Sequence, residues 1–235
     1  MSHLFRFKQF TLSDDRCAMK IGTDAVLLGA WTNENPQKIL DIGTGSGIIA
    51  IMLAQKTTAY IDAIDIDEES VKQAKENIAN CKWNDRINVS HISFQDFYRK
   101  QDKQYDLIIT NPPFFTNSLK SPENLRNIAK HNDSLSFDEI ITGVKLLLEE
   151  NGKFNIVLPY NESIILKEKA LINSLYCSKL LYVKPKPDKN CNRVLMQFSL
   201  QKEIPLQTDE LIIRHEDNSY TEEYISFTKD YYLSF

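Results

Sequence analysis

The stretch Asp41-Ile42-Gly43-Thr44-Gly45-Ser46-Gly47 places three glycines between two apolar segments of the chain. Residues 38–42 form a short apolar run that predicts a buried strand, and residues 47–56 have the spacing of a helix with one apolar face. Glycines suit such a turn because they permit unusual backbone dihedrals and let a ligand approach the main chain closely. This order of strand, glycine turn and helix indicates an α/β fold that binds a ligand at the tip of its first strand.

Outward from this stretch, apolar runs and helical patterns alternate from about residue 37 to residue 158, which is typical of a wound parallel sheet. Two further strands near residues 179–184 and 193–201 flank a turn-rich stretch and predict a hairpin-like pair at an edge of the sheet. The predicted fold class is therefore α/β, with a mostly parallel seven-stranded sheet and an antiparallel edge hairpin. The other predicted strands are 38–42, 59–66, 87–90, 105–110 and 153–158, and the helices between and after them are 47–56, 68–80, 136–148 and 163–174.

The N-terminal part of the chain, about residues 1–35, has a different pattern. Phe5, Phe7, Phe10 and Leu12 nearly alternate and predict a short β ribbon, and residues 23–31 predict a helix that starts at a Thr-Asp cap. With 235 residues, of which 42% are hydrophobic and 26% charged, the chain can bury one sizeable core. We expect a single domain over residues 1–235, with the N-terminal ribbon and helix as a cap.

Composition argues against several other classes of protein. No apolar run approaches the roughly 18 residues of a membrane span, and the N-terminus lacks the apolar core of a signal peptide, so we expect a cytoplasmic protein. The four scattered cysteines lack the spacing of a zinc site or a disulfide framework, and we expect no metal. The net charge of −4 does not indicate a general nucleic-acid binder. The sequence does not specify an oligomeric state, although a monomer is slightly favoured.

An acidic residue, Asp65, ends the second predicted strand, where a carboxylate can accept hydrogen bonds from two ribose hydroxyls. Together with the candidate loop glycines Gly43 and Gly45, it predicts a ligand that contains adenosine. Asp41 distinguishes between two such ligands, because its carboxylate would repel a pyrophosphate but suits the ammonium of a methionine moiety. S-adenosylmethionine (SAM) is therefore favoured over NAD, and a purely structural glycine turn is the alternative.

Residues 94–97, which follow the third predicted strand, contain further candidates for the same site. Asp96 can accept a hydrogen bond from an adenine amino group, and Phe97 or Phe94 can pack on the ring. An aspartate beside aromatic residues in a loop is more often an ordinary turn residue.

The segment Asn111-Pro112-Pro113-Phe114 follows the fourth predicted strand and so lies at the same sheet edge as the glycine loop. The amine of a nucleobase is a poor nucleophile because its lone pair is delocalised into the ring. The side-chain oxygen of Asn111 and the carbonyl of Pro112 can accept its two hydrogens and favour a tetrahedral nitrogen, while the prolines keep the carbonyl rigid. Phe114 offers a ring on which a planar base can stack. The loop predicts methylation of an amine, and a structural turn is the alternative.

These motifs, in this order, resemble those of the Rossmann-like class I methyltransferases, and among them the amino-methyltransferases that have an N-P-P-aromatic loop. The resemblance implies that Gly22 and Thr23, in the segment 19–25, contact the cofactor. Residues 20–31, 129–137 and 220–233 narrow the similarity to the bacterial family that methylates N6 of the adenine 3′ of the anticodon in a valine tRNA. Phe114 stands where many DNA adenine methyltransferases have Tyr, and no DNA-recognition domain is appended.

A tRNA substrate calls for phosphate contacts, which basic side chains provide. The candidates, each of which can equally be a solvated surface residue, are Lys130, His131, Lys184, Lys186, Lys189 and Arg193. The acidic run after residue 203 is predicted to be solvated surface. Three alternatives to the tRNA enzyme stay open from the motifs: a guanine-N2 methyltransferase of ribosomal RNA, a protein glutamine methyltransferase, and a binding protein that keeps the fold without turnover.

Overall fold

The computed structural model describes residues 4–113 and 135–235, and its main feature is a twisted sheet between two layers of helices. In these residues the main sheet has eight strands in the order β10-β8-β9-β7-β6-β3-β4-β5. All neighbouring pairs are parallel except those of β9, which is antiparallel to β7 and to β8. The strands are β3 Lys38–Ile42, β4 Tyr60–Asp65, β5 Ile87–His91, β6 Tyr105–Thr110, β7 Leu148–Pro159, β8 Tyr176–Lys184, β9 Arg193–Ser199 and β10 Gln207–Ile212.

The central strands form because they are continuous apolar runs that can be buried on both faces, as parallel strands require. Leu107, Ile108 and Ile109 of β6 are all fully buried, and they contribute alternately to the two cores on either side of the sheet. One core includes α1 and α2, and the other includes α4, α5 and α6. The helices are α1 Thr23–Trp31, α2 Ile48–Lys56, α3 Glu68–Ala79, α4 Phe94–Lys100, α5 Phe137–Leu147, α6 Tyr160–Ile172 and α7 Glu222–Thr228.

The mostly parallel α/β sheet and its antiparallel pair are confirmed, but the strand count and the position of the hairpin were wrong. The hairpin β8–β9 lies one strand inside the edge, because β10 pairs in parallel with β8 and adds an eighth strand. Residues 207–210 of β10 are exposed, so their polar sequence indicated solvated surface rather than a strand. Polar and charged residues are common on edge strands because they discourage pairing with other chains.

Three local predictions also need correction. Residues 94–97 begin helix α4, with Ser93 as the N-cap, instead of lying in a loop. Helix α1 spans the predicted residues, but its N-cap is Gly22, with no hydrogen bond from a capping side chain. Strand β7 begins at Leu148, so it includes Gly152, which the prediction left between the helix over 136–148 and the strand over 153–158. A capping box between Ser136 and Glu139 begins helix α5, where the helix over 136–148 was predicted to start.

The predicted N-terminal ribbon is present as the strands β1 Leu4–Arg6 and β2 Thr11–Ser13. Its aromatic residues pack against the C-terminal segment, where the centroids of the Phe7 and Tyr232 rings lie 5.9 Å apart. The Lys8 N–H also donates to the Tyr231 carbonyl at 2.8 Å. The two ends of the described chain therefore stabilise each other beside α1. Within the described ranges, no helix has both the length and the apolar character that crossing a membrane requires.

Candidate active site

Three predicted site residues come together where neighbouring strands of the sheet end. Ile42, the last residue of β3, is paired with Ile64 on one side and with Thr110 on the other. Gly43, Asp65 and Asn111 are the residues that follow these three positions. The carboxyl ends of parallel strands at such a junction form a crevice where ligands bind, and the structure therefore places the glycine loop beside the Asn-Pro-Pro loop.

The glycine loop has left-handed backbone conformations that other residues rarely adopt. Gly43, Gly45 and Gly47 have φ angles of 69°, 55° and 83°. A Cβ atom added at Gly43 or Gly45 would meet no heavy atom within 4 Å, whereas one at Gly47 would lie 3.3 Å from Ile78 Cδ1. The first two glycines therefore border open space that a ligand can fill, and the third allows α3 to pack closely against the loop.

Asp65 supports the glycine loop from the end of β4. Its Oδ2 accepts the Gly45 N–H at 2.8 Å, and its Oδ1 accepts the Asp67 N–H at 2.9 Å. Burial raises the pKa of this carboxyl above its usual value, although the two backbone donors oppose that rise. Because each carboxylate oxygen can accept more than one hydrogen bond, Asp65 keeps the capacity to bind ribose hydroxyls.

Asp41 is fully buried beneath the loop. Its Oδ2 accepts the Thr44 hydroxyl at 2.7 Å, and its Oδ1 has no hydrogen-bond partner among the described residues. Burial, with a smaller contribution from Asp65, raises the pKa of Asp41 to about 7, although the Thr44 hydroxyl opposes that rise. An unpaired, buried carboxyl of this kind is costly unless a cation compensates it, which fits an ammonium group at this position.

The raised pKa of Asp41 leads to a prediction about pH. Because an ammonium ligand favours the ionised carboxylate, the Kd for SAM should rise as pH falls from 7.5 to 5.5, by up to about tenfold per pH unit below 7. An α-ammonium becomes more fully protonated as pH falls from 7.5, because its usual pKa is about 7.7–8.0, so titration of the ligand opposes the predicted rise in Kd and cannot cause it. Calorimetric titration across the range measures this dependence, and the Asp41→Asn variant should bind more weakly with a flat profile. An unchanged pH profile in that variant would contradict the role of Asp41.

The raised pKa of Asp41 also makes the stability of the folded protein depend on pH, but in the opposite direction to SAM affinity. The folded-state pKa of Asp41 lies above its usual value of 3.8, so the protonated form favours the folded protein at low pH. That contribution is lost as pH rises through about 7. A bound cation at the same carboxylate would offset the loss.

Asn111 faces a cleft of about 380 Å³ beside the strand ends. Its Oδ1 atom is buried and has no hydrogen-bond partner in the described parts of the chain. The lining residues come from the N-terminal segment, the Asn-Pro-Pro loop and the start of β9: Met19, Lys20, Gly22, Asp24, Asn111, Pro113 and Arg193. Since buried polar atoms are nearly always paired in proteins, an orphan acceptor at a cleft indicates a group that binds a ligand.

The structure also shows how the N-terminal segment is held over the glycine loop. The Asn77 side chain in α3 donates to the carbonyls of Ser13 and Ser46 at 2.8 Å each, and it accepts the Ser13 N–H at 3.0 Å. Asp14 is buried and accepts the Ile21 N–H at 2.8 Å. Sequence reasoning missed both residues, because a single Asn in a helix or Asp in a turn carries no pattern of its own.

The other candidate residues for the cofactor site lie in and around the first turns of α1 and α4. Gly22 lines the cleft, and Thr23 is the exposed first residue of α1. Asp96 is exposed in the first turn of α4, while Phe97 is buried and packs 6.4 Å from the Tyr105 ring. Phe114, Lys130 and His131 lie outside the described residues. The assignments of Asp96 and Phe97 to the adenine stay predictions.

The four basic candidates between residues 184 and 193 lie at the same edge of the sheet as Asn111, because β8 ends there and β9 begins there. Most have an acidic or carbonyl partner: Lys184 pairs with Glu210 at 2.8 Å, Lys189 with Asp188 at 2.9 Å, and Lys186 donates to the Glu216 carbonyl. Arg193 pairs with Asp24 at 2.7 Å inside the cleft. Of these four candidates, only Arg193 is found in the lining of the cleft together with Asn111 and Pro113 of the Asn-Pro-Pro loop.

Metal ions in proteins are commonly bound by His, Cys, Asp and Glu side chains. The four cysteines are free thiols, with Cys17 and Cys81 buried. In residues 4–113 and 135–235, no group of three or more His, Cys, Asp or Glu side chains is arranged to hold a metal ion.

The strand order, the glycine loop and the acids that support it define a class I methyltransferase, and comparison with known proteins agrees. Residues 17–171 match the model of the methyltransferase small domain. The chain is 44% identical over 235 residues to the tRNA1(Val) (adenine(37)-N6)-methyltransferase of Trichodesmium erythraeum, and the match covers 98% of each protein. The chain therefore belongs to the family of tRNA1(Val) (adenine(37)-N6)-methyltransferases, which are SAM-dependent enzymes.

Solved structures support the fold at lower identity. A predicted O-methyltransferase from Agrobacterium tumefaciens aligns with a TM-score of 0.70 and 16% identity, over 88% of this chain and 96% of that one. A glycopeptide N-methyltransferase in complex with SAM aligns with a TM-score of 0.57 and 10% identity, over 76% of this chain and 93% of that one. At these identities the likeness concerns the fold alone.

Proposed function

We propose that this enzyme transfers the methyl group of SAM to N6 of adenine 37 in a valine tRNA. The observation that carries the proposal is the buried Oδ1 of Asn111, which lies at a cleft beside the glycine loop and has no hydrogen-bond partner among residues 4–113 and 135–235. No described residue donates to that acceptor, and the amino group of adenine is a donor that needs an acceptor. The nearly full-length similarity to enzymes named for this reaction supports the choice of substrate.

The residues present at the strand ends fit SAM. Asp65 offers acceptors for the ribose, Asp41 an acceptor for the ammonium, and Gly43 with Gly45 the open space that close approach to the backbone requires. When bound, SAM supplies an electrophilic methyl group on a sulfonium. We assign these four residues, together with Gly22, Thr23 and Asn111, to cofactor binding, and Asp96 and Phe97 to the adenine of the cofactor.

The protein's own contribution to the reaction is to position and polarise the target amine. Asn111 Oδ1 and the Pro112 carbonyl accept its two hydrogens, which draws electron density back onto the nitrogen. Oδ1 is buried before substrate arrives, so it needs no desolvation during the reaction. We assign Phe114 the stacking of the extruded base. The proton leaves after the nitrogen has become cationic, so no strong base is needed in the loop.

Competing substrates separate this proposal from its alternatives. The purified enzyme and labelled SAM are incubated in parallel with total tRNA, with ribosomal RNA and with a protein extract. We expect label in tRNA and, after digestion to nucleosides, in N6-methyladenosine. Label in N2-methylguanosine or in glutamine would identify one of the alternative enzymes instead, and the absence of label in every fraction would indicate a binding protein.

We also propose that Lys130, His131, Lys184, Lys186, Lys189 and Arg193 contact the tRNA backbone. The stretch 184–193 lies at the same sheet edge as Asn111, so a tRNA whose base enters the cleft passes close to it. We also place the enzyme in the cytoplasm with its tRNA, as a single domain over residues 1–235.

The double variant Lys186→Gln, Lys189→Gln tests the surface contacts. The logarithm of the tRNA association constant falls linearly with the logarithm of salt concentration. Each phosphate that the protein no longer neutralises should make this negative slope shallower by about one. We therefore expect weaker tRNA binding at low salt and a slope smaller by about two, measured by filter binding over a salt series. Lys72→Gln is a matched control, because Lys72 is an exposed lysine paired with Glu68 and Glu69 on α3. An unchanged slope would show that Lys186 and Lys189 are solvated surface residues that do not contact phosphates of the tRNA.

A further inference from the structure

An ion pair joins two walls of the cleft that contains Asn111. Arg193, the first residue of β9, donates from Nε to Asp24 Oδ2 at 2.7 Å, and Asp24 lies in the first turn of α1. The two residues are 169 positions apart in sequence. Their side chains are 31% and 24% exposed, so the pair is half-buried yet accessible from the cleft.

We propose that Asp24 is a positioning residue that holds the Arg193 guanidinium for a backbone phosphate next to the target adenosine. This inference rests on the proposed function and refines it, because it assigns the phosphate contact nearest to Asn111. The ligand class is a phosphodiester of a single-stranded RNA segment. Extruding a base from its stack brings the flanking phosphates to the mouth of the pocket.

The guanidinium is oriented before any RNA arrives. Besides the bond to Asp24, Arg193 Nη1 donates to the Asn192 carbonyl at 2.9 Å, so two different nitrogens of the group are fixed. A fixed guanidinium loses less conformational entropy on binding than a mobile one. Its planar array of donors matches the oxygens of a phosphate, which an ammonium group cannot reproduce.

A second cation of the cleft lining is also restrained, in this case by backbone carbonyls. Lys20 Nζ donates to the carbonyls of Asp14 and Asp15 at 2.6 and 3.2 Å. Lys20 and Arg193 thus both line the cleft with Asn111, and each is restrained by acceptors of the chain. Because Asp24 balances the charge of Arg193, the pair attracts RNA little from a distance and acts on contact.

A double-mutant cycle tests whether Asp24 acts through Arg193. The variants are Asp24→Ala, Arg193→Gln and the two combined, with Asp24→Asn as a milder change that keeps an oxygen acceptor for Nε. Steady-state kinetics give KM for tRNA and kcat, and calorimetry gives Kd for SAM. We expect Arg193→Gln to raise KM for tRNA about tenfold, the size of one charge-assisted hydrogen bond. Asp24→Ala should raise it about fivefold, and the combined variant should not exceed Arg193→Gln alone.

Two comparisons make the cycle specific. Arg193→Lys should not restore KM, because a lysine lacks the planar array of donors. The Arg16–Glu76 pair is a matched control, since Arg16 Nη1 lies 2.8 Å from Glu76 Oε1 and neither residue lines the cleft. Arg16→Gln and Glu76→Ala should leave KM for tRNA unchanged.

The outcomes separate this inference from the proposed function. Coupled effects of Asp24 and Arg193 on KM for tRNA, with Kd for SAM unchanged, support it. Additive effects, no effect on KM, or an equal loss of SAM affinity would overturn it. The proposed function is tested separately by the product of the wild-type enzyme. If that product is N6-methyladenosine, the proposed function holds even when the variants overturn the role of Asp24.

Discussion

Replacing Asn111 with alanine is expected to lower kcat for methyl transfer by about 10²–10³-fold, the usual loss when one preorganised polar group is removed from an active site. The Kd for SAM should rise far less than kcat falls, because Asn111 is one of several cofactor contacts and Asp41, Asp65 and the glycine loop remain. The melting temperature should not fall, since the variant removes a buried acceptor that has no partner in the described structure. Single-turnover kinetics with saturating tRNA measure the chemical step directly.

A matched control for this variant is Asn88→Ala. Asn88 is an exposed residue on β5, at the far edge of the sheet, and its side chain donates to Asp62 at 3.1 Å. That variant should turn over at the wild-type rate. If Asn111→Ala keeps near-normal turnover, or if it loses SAM affinity in proportion to kcat, then Asn111 does not have the role assigned to it.

The second large effect is expected at the glycine loop. Gly45→Ala should weaken SAM binding about 100-fold, equivalent to about 2.7 kcal/mol. The new methyl group projects into the open space that borders the loop, and the φ of 55° is unfavourable for an L side chain. Calorimetric titration with SAM measures the loss, and thermal unfolding without SAM reports the backbone strain separately.

Gly47→Ala is the informative comparison, because its φ of 83° carries the same kind of strain. Its Cβ would lie 3.3 Å from Ile78 Cδ1 rather than in open space. We therefore expect Gly47→Ala to lower the melting temperature more than Gly45→Ala does and to affect SAM affinity less. Equal losses of SAM affinity in the two variants would show that the loop responds to strain alone and that Gly45 does not border the cofactor.

Much of the fold could be predicted from the sequence because its strongest signals are local. Parallel strands buried on both faces are continuous apolar runs, and β6 was predicted at the bounds that the structure shows. The glycine loop is equally local, since its strand, turn and helix adjoin one another in the chain. Strand β10 carries no such signal, because it pairs on one side only and exposes residues 207–210.

The site divides in the same way. The positions of Asp41, Asp65 and Asn111 could be predicted because each lies at or just after the end of a strand that is recognisable by itself. The contact between Asp24 and Arg193, and the bridge that Asn77 makes between Ser13 and Ser46, join segments that are distant in sequence. Such contacts form only in the folded protein, between single polar residues. They could not be predicted because they produce no regular spacing in the sequence.

The identity and position of the methylated nucleoside in one defined tRNA would decide whether the enzyme acts on adenine 37. An unmodified transcript of a valine tRNA with adenine at position 37 is incubated with the enzyme and labelled SAM, alongside a transcript that differs only in having guanine there. We expect about one methyl group per molecule of the first transcript, recovered as N6-methyladenosine at position 37, and none in the second. Label in a guanosine, or equal labelling of both transcripts, would contradict the proposed function.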